Sequence, residues 1–263
     1  MDIHIGLLLF LVIVYFFAGF VDSVSGGGGA LALPALLLAG FPVTLAAGTN
    51  KLISACGTSI ALFNFVRYKK LYWNLASIGI LCSLIGSYLG SRTLIHTNPE
   101  IAIKIIIFCL PIGSIIALIP KKISQHTSYQ NKYAYLSVMC ISLLMGFYDG
   151  FFGPGTGSFL ILAFSFFLQM DTVRANALAK AVNLASNISA LVFFALHSQV
   201  LYMTAIPLII ANMLGGFLGS KMAIKKGSGF IRIMISLVFI ALFILLVAKY
   251  FGPESLKKFL GGS

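Results

Sequence analysis

Apolar segments recur along the chain at about residues 4–38, 43–66, 72–95, 101–119, 133–169, 174–196, 201–222 and 230–250. A helix of about 20 apolar residues crosses a hydrocarbon core of ~30 Å, and these runs do not alternate as barrel strands do. The pattern predicts an all-α, polytopic helical membrane protein with about eight hydrophobic segments. The first and fifth segments are longer than one span needs. Each is interrupted by glycine, at Gly26, Gly27, Gly28 and Gly29 in the first and at Gly153-Pro154-Gly155-Thr156-Gly157 in the fifth. One clearly polar stretch, Pro120 to Lys132, divides the chain near its middle. Residues 1–119 and 133–252 therefore read as two transmembrane repeats. Residues 120–132 read as a basic cytoplasmic connector and 253–263 as a C-terminal tail.

The halves resemble each other in three blocks that keep their order. Gly19-Phe20-Val21-Asp22 matches Gly146-Phe147-Tyr148-Asp149 at an offset of 127. Lys51 matches Lys180, and Gly86–Arg92 matches Gly215–Lys221, both at an offset of 129. One small insertion reconciles the offsets. Internal repeats of this kind mark many transporters. Loop charge favours inverted repeats whose long segments are hairpins, because cytoplasmic loops collect Lys and Arg. That topology places 11 basic residues inside and 5 outside, whereas eight straight spans in parallel repeats give 9 and 7.

Composition sharpens this picture. The 263 residues are 59% hydrophobic and 9% charged, with a mean hydropathy of +1.02. Soluble domains carry roughly 25% charged residues. The net charge of +12 sits mostly in short loops, so it reflects membrane orientation and not a nucleic-acid partner. Cys56, Cys82, Cys109 and Cys140 fall inside apolar runs without metal spacing and read as small buried hydrophobes. His4, His96, His126 and His197 are scattered, so no metal site is expected. The amino terminus lacks a basic n-region and a small-residue cleavage site, so the first apolar run is expected to be retained. No Walker motif, dinucleotide fingerprint or nucleophile–base pair is present, so neither a cofactor nor an enzymatic activity is expected.

Candidate chemistry clusters at the breaks. Irregular backbone at membrane depth survives where it is buried in protein or lines a watery cavity. A half-helix beginning at Gly26–Gly29, or at Gly153, Gly155, Thr156 and Gly157, would offer amides and a positive dipole end to an anion. The competing reading of each break is a packing kink. Lys51, Ser54 and Thr58 share one helix face, as do Lys180, Asn183 and Asn187. Intramembrane ammonium groups normally line an interior path, although a lysine can also snorkel to the interface. Asn50, Asn176 and Asn212 are weaker polar candidates. Asp22 and Asp149 have four open roles: taking a proton, binding a cation, pairing with Lys51 and Lys180, or capping the following turn. The spacing of Gly86 with Gly90, and of Gly215 with Gly219, reads as close helix packing.

The stretches GFVDSVSGGGGALALPALLLAGFPVTLAAGTNK and GFYDGFFGPGTG…NALAKAVNLASN resemble the TauE/SafE sulfite exporter family, also called TSUP, over nearly the whole chain. The resemblance implies a plasma (inner) membrane carrier that works without ATP. It also implies a substrate among sulfite, sulfoacetate and other small sulfur-containing or organic anions. One departure is that Leu178-Ala179-Lys180 stands where the first half has Thr49-Asn50-Lys51, which makes the two halves of the site chemically unequal. The expectation is alternating access around an anion held by both glycine breaks, Asn50, Lys51, Ser54, Thr58, Lys180, Asn183 and Asn187. Asp22 and Asp149 are the places for a coupled proton. An anion channel, a sulfur-handling membrane enzyme and a cation carrier remain as alternatives, and the sequence leaves substrate, direction and oligomeric state open.

Overall fold

The first apolar segment is not one helix. The computed structural model describes residues 5–98, 101, 133–151 and 153–251. In it the segment divides into α1 (Ile5–Ser25) and α2 (Gly29–Leu38), and the fifth divides into α5 (Ala134–Phe151) and α6 (Thr156–Phe167). Between and after them run α3 (Val43–Arg67), α4 (Trp73–His96), α7 (Thr172–Leu196) and α8 (Tyr202–Phe251). The last two apolar segments, expected as separate helices, are two helices that meet within α8 at a sharp break at Gly227, whose φ of 74° and ψ of −163° are not helical. Five of the described helices are long and apolar enough to cross a membrane. The half-length α2 and α6, of 10 and 12 residues, are not. Nearly all of segment 101–119, the connector 120–132, the tail 253–263, and with them His4, Cys109 and His126, lie outside the described residues.

Local chemistry sets the helix ends. Pro42 precedes α3 with φ −55° and ψ 146°, an extended conformation that starts the helix without a donor to satisfy. Asp171 caps α7 by accepting from the amides of Val173 and Arg174, both at 3.1 Å. After α2 the amides of Gly40 and Phe41 return to the carbonyls of Leu37 and Leu36, which closes the end as a Schellman turn.

The register of side-chain and backbone contacts gives the helix directions. Along α4, Ser83 and Ser87 donate to the carbonyls of Val182 and Ser186 on α7, so these helices run together. Gly86 abuts Leu143 and Phe147, and Gly90 abuts Phe147 and Phe151, so α5 runs with them. In the same manner Gly215 abuts Phe16 and Phe20, while Gly219 abuts Phe20, so α1 and α8 run together. Asn212 of α8 lies at Gly57 of α3, and Phe217 and Ser220 lie at Asn64, which adds α3 to that set. The two sets are opposed. Asn176 donates to the carbonyls of Ser23 and Val24, whereas Lys180, one turn later, reaches back to Asp22.

These contacts are reciprocal under the sequence offsets. The pair Gly86 with Leu143 and Phe147 corresponds to Gly215 with Phe16 and Phe20, and Gly146 against Ser83 corresponds to Gly19 against Asn212. A Cβ at any of these four glycines would collide with backbone of the facing helix, so the packing reading of the GxxxG spacing holds.

Direction also sorts the charges. Arg67, Lys69, Lys70, Arg174, Lys221, Lys225 and Lys226 lie toward one end of the bundle, and Arg92 toward the other. The positive-inside bias makes the basic end cytoplasmic. Two apolar clusters fill the interior. One, with Phe65, Phe164, Leu168 and Leu178, lies toward the basic end, and the other, with Leu11, Leu36, Phe41 and Phe194, lies toward the outer end. The lipid-facing surface is apolar as well, and there the expectation of buried cysteines fails. Cys140 is exposed on α5 beside exposed Leu136, Met139 and Leu144, while Cys56 and Cys82 are half-buried. A thiol behaves as a small hydrophobe, so hydrocarbon suits it as well as a core does.

Candidate functional site

Between the two apolar layers the chain breaks cross. Gly26 adopts φ +77°, and a Cβ there would strike the backbone of Gly157 and Ser158. The Ser158 amide donates to the Gly26 carbonyl at 3.2 Å, and the Ser158 hydroxyl donates to the Ser25 carbonyl at 2.6 Å. Thus the start of α6 is stitched to the end of α1. Glycine is required at Gly26 and Gly157 because one backbone passes over another. At this crossing the packing reading of the breaks is satisfied.

Each lysine reaches across to the aspartate of the other half. Lys51 Nζ lies 2.8 Å from Asp149 Oδ2, and Lys180 Nζ lies 2.7 Å from Asp22 Oδ2. Both lysines are buried, so neither snorkels to an interface. Neither aspartate caps a half-helix: the N-terminal positions of α2 and α6 are Gly28 and Gly155, without a side-chain cap. Of the four roles open to Asp22 and Asp149, pairing is the one seen. The four charges here cancel. A lone ammonium in low dielectric would cost several kcal/mol, and a carboxylate partner offsets that cost.

A small polar cavity lies at the centre. Its lining is drawn from Asp22, Gly26 and Gly29 of the first break, Asn50, Lys51 and Ser54 of α3, Asp149, Gly153 and Gly157 of the second break, and Asn183 and Asn187 of α7. Its room for the centre of a water molecule is about 20 Å³, enough for roughly one or two waters. Most of the residues expected at the site thus meet there. Six do not line it. Lys180 is fully buried behind Asp22, and Thr58 is buried within the bundle. Gly27 is buried off the lining, and Gly28 packs against Ala18 and Asp22. Gly155 sits at the head of α6 beside Phe159, and the Thr156 hydroxyl is used by the Gly153 carbonyl at 2.7 Å. Helix-face periodicity placed Lys51 with Thr58, and Lys180 with Asn183. The cavity is too short to take in both ends of either stripe.

Three contributors went unnoticed in the sequence. Ser186 donates to Asp149 Oδ2 at 2.6 Å, on the oxygen that also holds Lys51. Its position, three residues after Asn183, was a signal. Tyr15 donates to Asn50 Oδ1 at 3.0 Å from an otherwise apolar stretch of α1. Ser158 gave no signal beyond lying next to Gly157. The weaker candidates have structural partners: Asn176 clamps the end of α1, and Asn212 donates to the Tyr15 carbonyl at 3.1 Å.

The two ends of the bundle close differently. Toward the outer end Thr44 donates to Gln199 at 2.6 Å, the Leu201 amide donates to Thr49 at 3.0 Å, and Tyr15 holds Asn50. By the offsets of 127 and 129, the cytoplasmic counterparts of Thr44, Thr49, Asn50 and Tyr15 are Val173, Leu178, Ala179 and Ser142. Val173, Leu178 and Ala179 sit in the apolar cluster of that end, and the buried Ser142 hydroxyl has no hydrogen-bond partner among the described residues.

Comparison with known proteins places this architecture. The family model described as sulfite exporter TauE/SafE matches residues 11–246. A probable membrane transporter protein of Haemophilus influenzae is 37% identical over 239 residues, covering 89% of this chain and 92% of that one. The probable membrane transporter protein YfcA of Escherichia coli K12 is 36% identical, covering 89% and 86% of the two chains. The probable membrane transporter protein ORF9 of a Sinorhizobium species is 33% identical over 255 residues, covering 96% and 97%. No solved structure matches the chain significantly. With its crossed helix breaks, paired intramembrane charges and a family match over nearly its whole length, this multi-pass membrane protein belongs to the TauE/SafE sulfite exporter family of membrane transporters.

Proposed function

We propose that the protein is a secondary carrier that moves a small anion, sulfite or an organosulfonate or organic acid anion, by alternating access without ATP. The observation that carries this reading is the central cavity. It gathers Lys51, Asn50, Ser54, Asn183, Asn187 and glycines of both breaks, from both halves, between two apolar layers. An ammonium group, neutral amide and hydroxyl donors and side-chain-free backbone suit an oxyanion. The two halves are inverted repeats: α1, α3 and α8 oppose α5, α7 and α4, and the reciprocal glycine contacts relate one half to the other. A cavity of this size does not admit sulfite, so the repeats must shift for the anion to enter and leave. The outer polar latch makes the described form closed to the outside. An inside-negative potential of about 100 mV favours anion export by ~2.3 kcal/mol per charge. Import would require a coupled cation, and protons carried on Asp22 or Asp149 fit that role.

Counterflow tests the reading. Proteoliposomes loaded with unlabelled sulfite should accumulate external labelled sulfite transiently above its equilibrium level, and Lys51→Ala should abolish the overshoot. A channel carries labelled anion in without overshoot, so entry that only equilibrates would refute the carrier.

A further inference from the structure

We infer that the transported anion competes with the Asp149 carboxylate for Lys51, and that Asp149 takes up one proton as each monoanion enters. This rests on the anion-carrier reading and assigns the coupling to one of the two aspartates.

The two ion pairs are not equally placed for such an exchange. Lys51 and Asp149 both line the cavity. Gly153, at φ +95°, stands directly over this pair: a Cβ there would lie 3.2 Å from Lys51 Nζ and 3.3 Å from Asp149 Oδ1. A side chain at Gly153 would press on both charged groups at once, so glycine keeps the backbone bare beside this pair. In the other pair Asp22 lines the cavity but Lys180 does not. An anion in the cavity reaches Lys51 Nζ and meets Lys180 only behind a carboxylate. The Lys180–Asp22 pair is a clasp between the halves, and the Lys51–Asp149 pair is where exchange takes place.

Charge balance then requires a proton. The charged groups around Asp149 are Lys51 on α3 and, across the cavity, Asp22 on α1 with Lys180 on α7. Helix α4, packed along α5, brings the neutral Ser87 and Ser91 to this level, and its Arg92 is exposed. The adjacent Tyr148 hydroxyl donates to the Pro154 carbonyl. The four buried charges sum to zero. A monoanion that displaces Asp149 from Lys51 brings one negative charge into low dielectric, beside a carboxylate that has lost its partner. A solvent proton on that carboxylate restores neutrality: carboxylate and proton become carboxylic acid, Lys51 stays an ammonium, and the anion takes the vacated position. Proton and monoanion cross together as a neutral set.

The test uses methanesulfonate, whose charge does not change across the working pH range, and the full-length protein in weakly buffered detergent with a pH indicator dye. Wild type should take up about one proton per anion bound, and its affinity should fall as pH rises. Asp149→Asn, which imitates the protonated acid, should bind more tightly than wild type at high pH, without pH dependence and without proton uptake. Proton uptake persisting in this variant would assign the coupling elsewhere and overturn the proposal. So would wild-type binding with no proton uptake, or an Asp149→Asn protein that folds yet does not bind. Should that variant fail to fold, Ser186→Ala decides. It removes a donor that holds the carboxylate, so affinity for methanesulfonate should rise severalfold, whereas a merely structural serine would leave it unchanged or lower it. If neither methanesulfonate nor sulfite binds wild type at any pH, the anion-carrier reading falls and the exchange falls with it. Binding without proton uptake removes the exchange alone.

Discussion

Lys51–Asp149 and Lys180–Asp22 occupy corresponding places in two halves of one chain, have nearly the same length at 2.8 and 2.7 Å, and differ in what surrounds them. Both members of the first pair line the cavity, with Gly153 against them and Ser186 on Asp149. The second has its lysine off the lining, and the glycine that corresponds to Gly153 is Gly26, pressed onto the backbone of Gly157. The two charge pairs thus correspond by sequence offset and differ in their share of the cavity lining. Buried ion pairs are weak contributors to stability when intact and costly when half-removed. Two such pairs in a membrane core therefore point to function at one pair and to registration of the halves at the other.

The largest expected effect comes from breaking either pair on one side. Lys51→Met strands the buried Asp149 carboxylate and should lower stability by about 3–5 kcal/mol, and Lys180→Met, which strands the half-buried Asp22, should lower it less; both are read as a fall in the melting midpoint of the purified protein. Removing both partners should separate the pairs. Lys180→Met with Asp22→Leu should recover most of the stability and weaken anion binding by less than about tenfold, or ~1.4 kcal/mol. Lys51→Met with Asp149→Leu should recover stability and abolish binding. Equal loss of binding in both double variants would erase the distinction.

Next in size is the pair of corresponding glycines. Gly26→Ala forces a backbone overlap at positive φ and should cost about 1–3 kcal/mol from overpacking, with a further ~1–2 from the left-handed backbone. Gly153→Ala shares the left-handed cost, but its methyl meets the side-chain atoms Lys51 Nζ and Asp149 Oδ1 at 3.2 and 3.3 Å, with the nearest backbone atom, the Asp149 carbonyl oxygen, at 3.5 Å. It should lower stability less and anion affinity more. Thermal melting and anion titration on the two variants decide this, and identical behaviour would mean that bare backbone beside the ion pair has no role.

The smallest effects lie at the outer latch. Gln199→Leu or Asn50→Ala removes one hydrogen bond of the latch, worth about 1 kcal/mol. Either change should shift the bundle toward outward opening, read as faster labelling from outside of a cysteine introduced at Ser54 in a background free of native cysteines. Val173→Ala, at the cytoplasmic counterpart of Thr44, should not raise labelling from outside.

The sequence made the framework legible and the wiring much less so. Runs such as Ile5–Ser25 and Thr172–Leu196 announce membrane helices by length and hydropathy alone, and four consecutive glycines announce a break. The repeat offsets, 127 before the insertion and 129 after it, point to corresponding residues. They do not say that Lys51 pairs with Asp149 and not with Asp22. That choice depends on how two opposed halves dock, which involves contacts more than a hundred residues apart. Periodicity likewise marked Thr58 and Lys180 as facing inward. They do, but inward in a bundle of this width includes positions behind the cavity as well as on it. Tyr15 escaped notice because a single hydroxyl in an apolar run carries no pattern. Gly227 falls in the gap between the last two apolar segments, so a break there was legible, though its geometry was not.

The most direct test locates an anion. Crystals soaked in selenite, the heavier analogue of sulfite, and measured at the selenium edge should show an anomalous peak within hydrogen-bond distance of Lys51 Nζ. It should be flanked by Gly153 and Asn187, with the Asp149 carboxyl moved off the lysine. Anomalous peaks confined to the surface lysines, with Lys51 still bound to Asp149, would contradict an anion site at this pair.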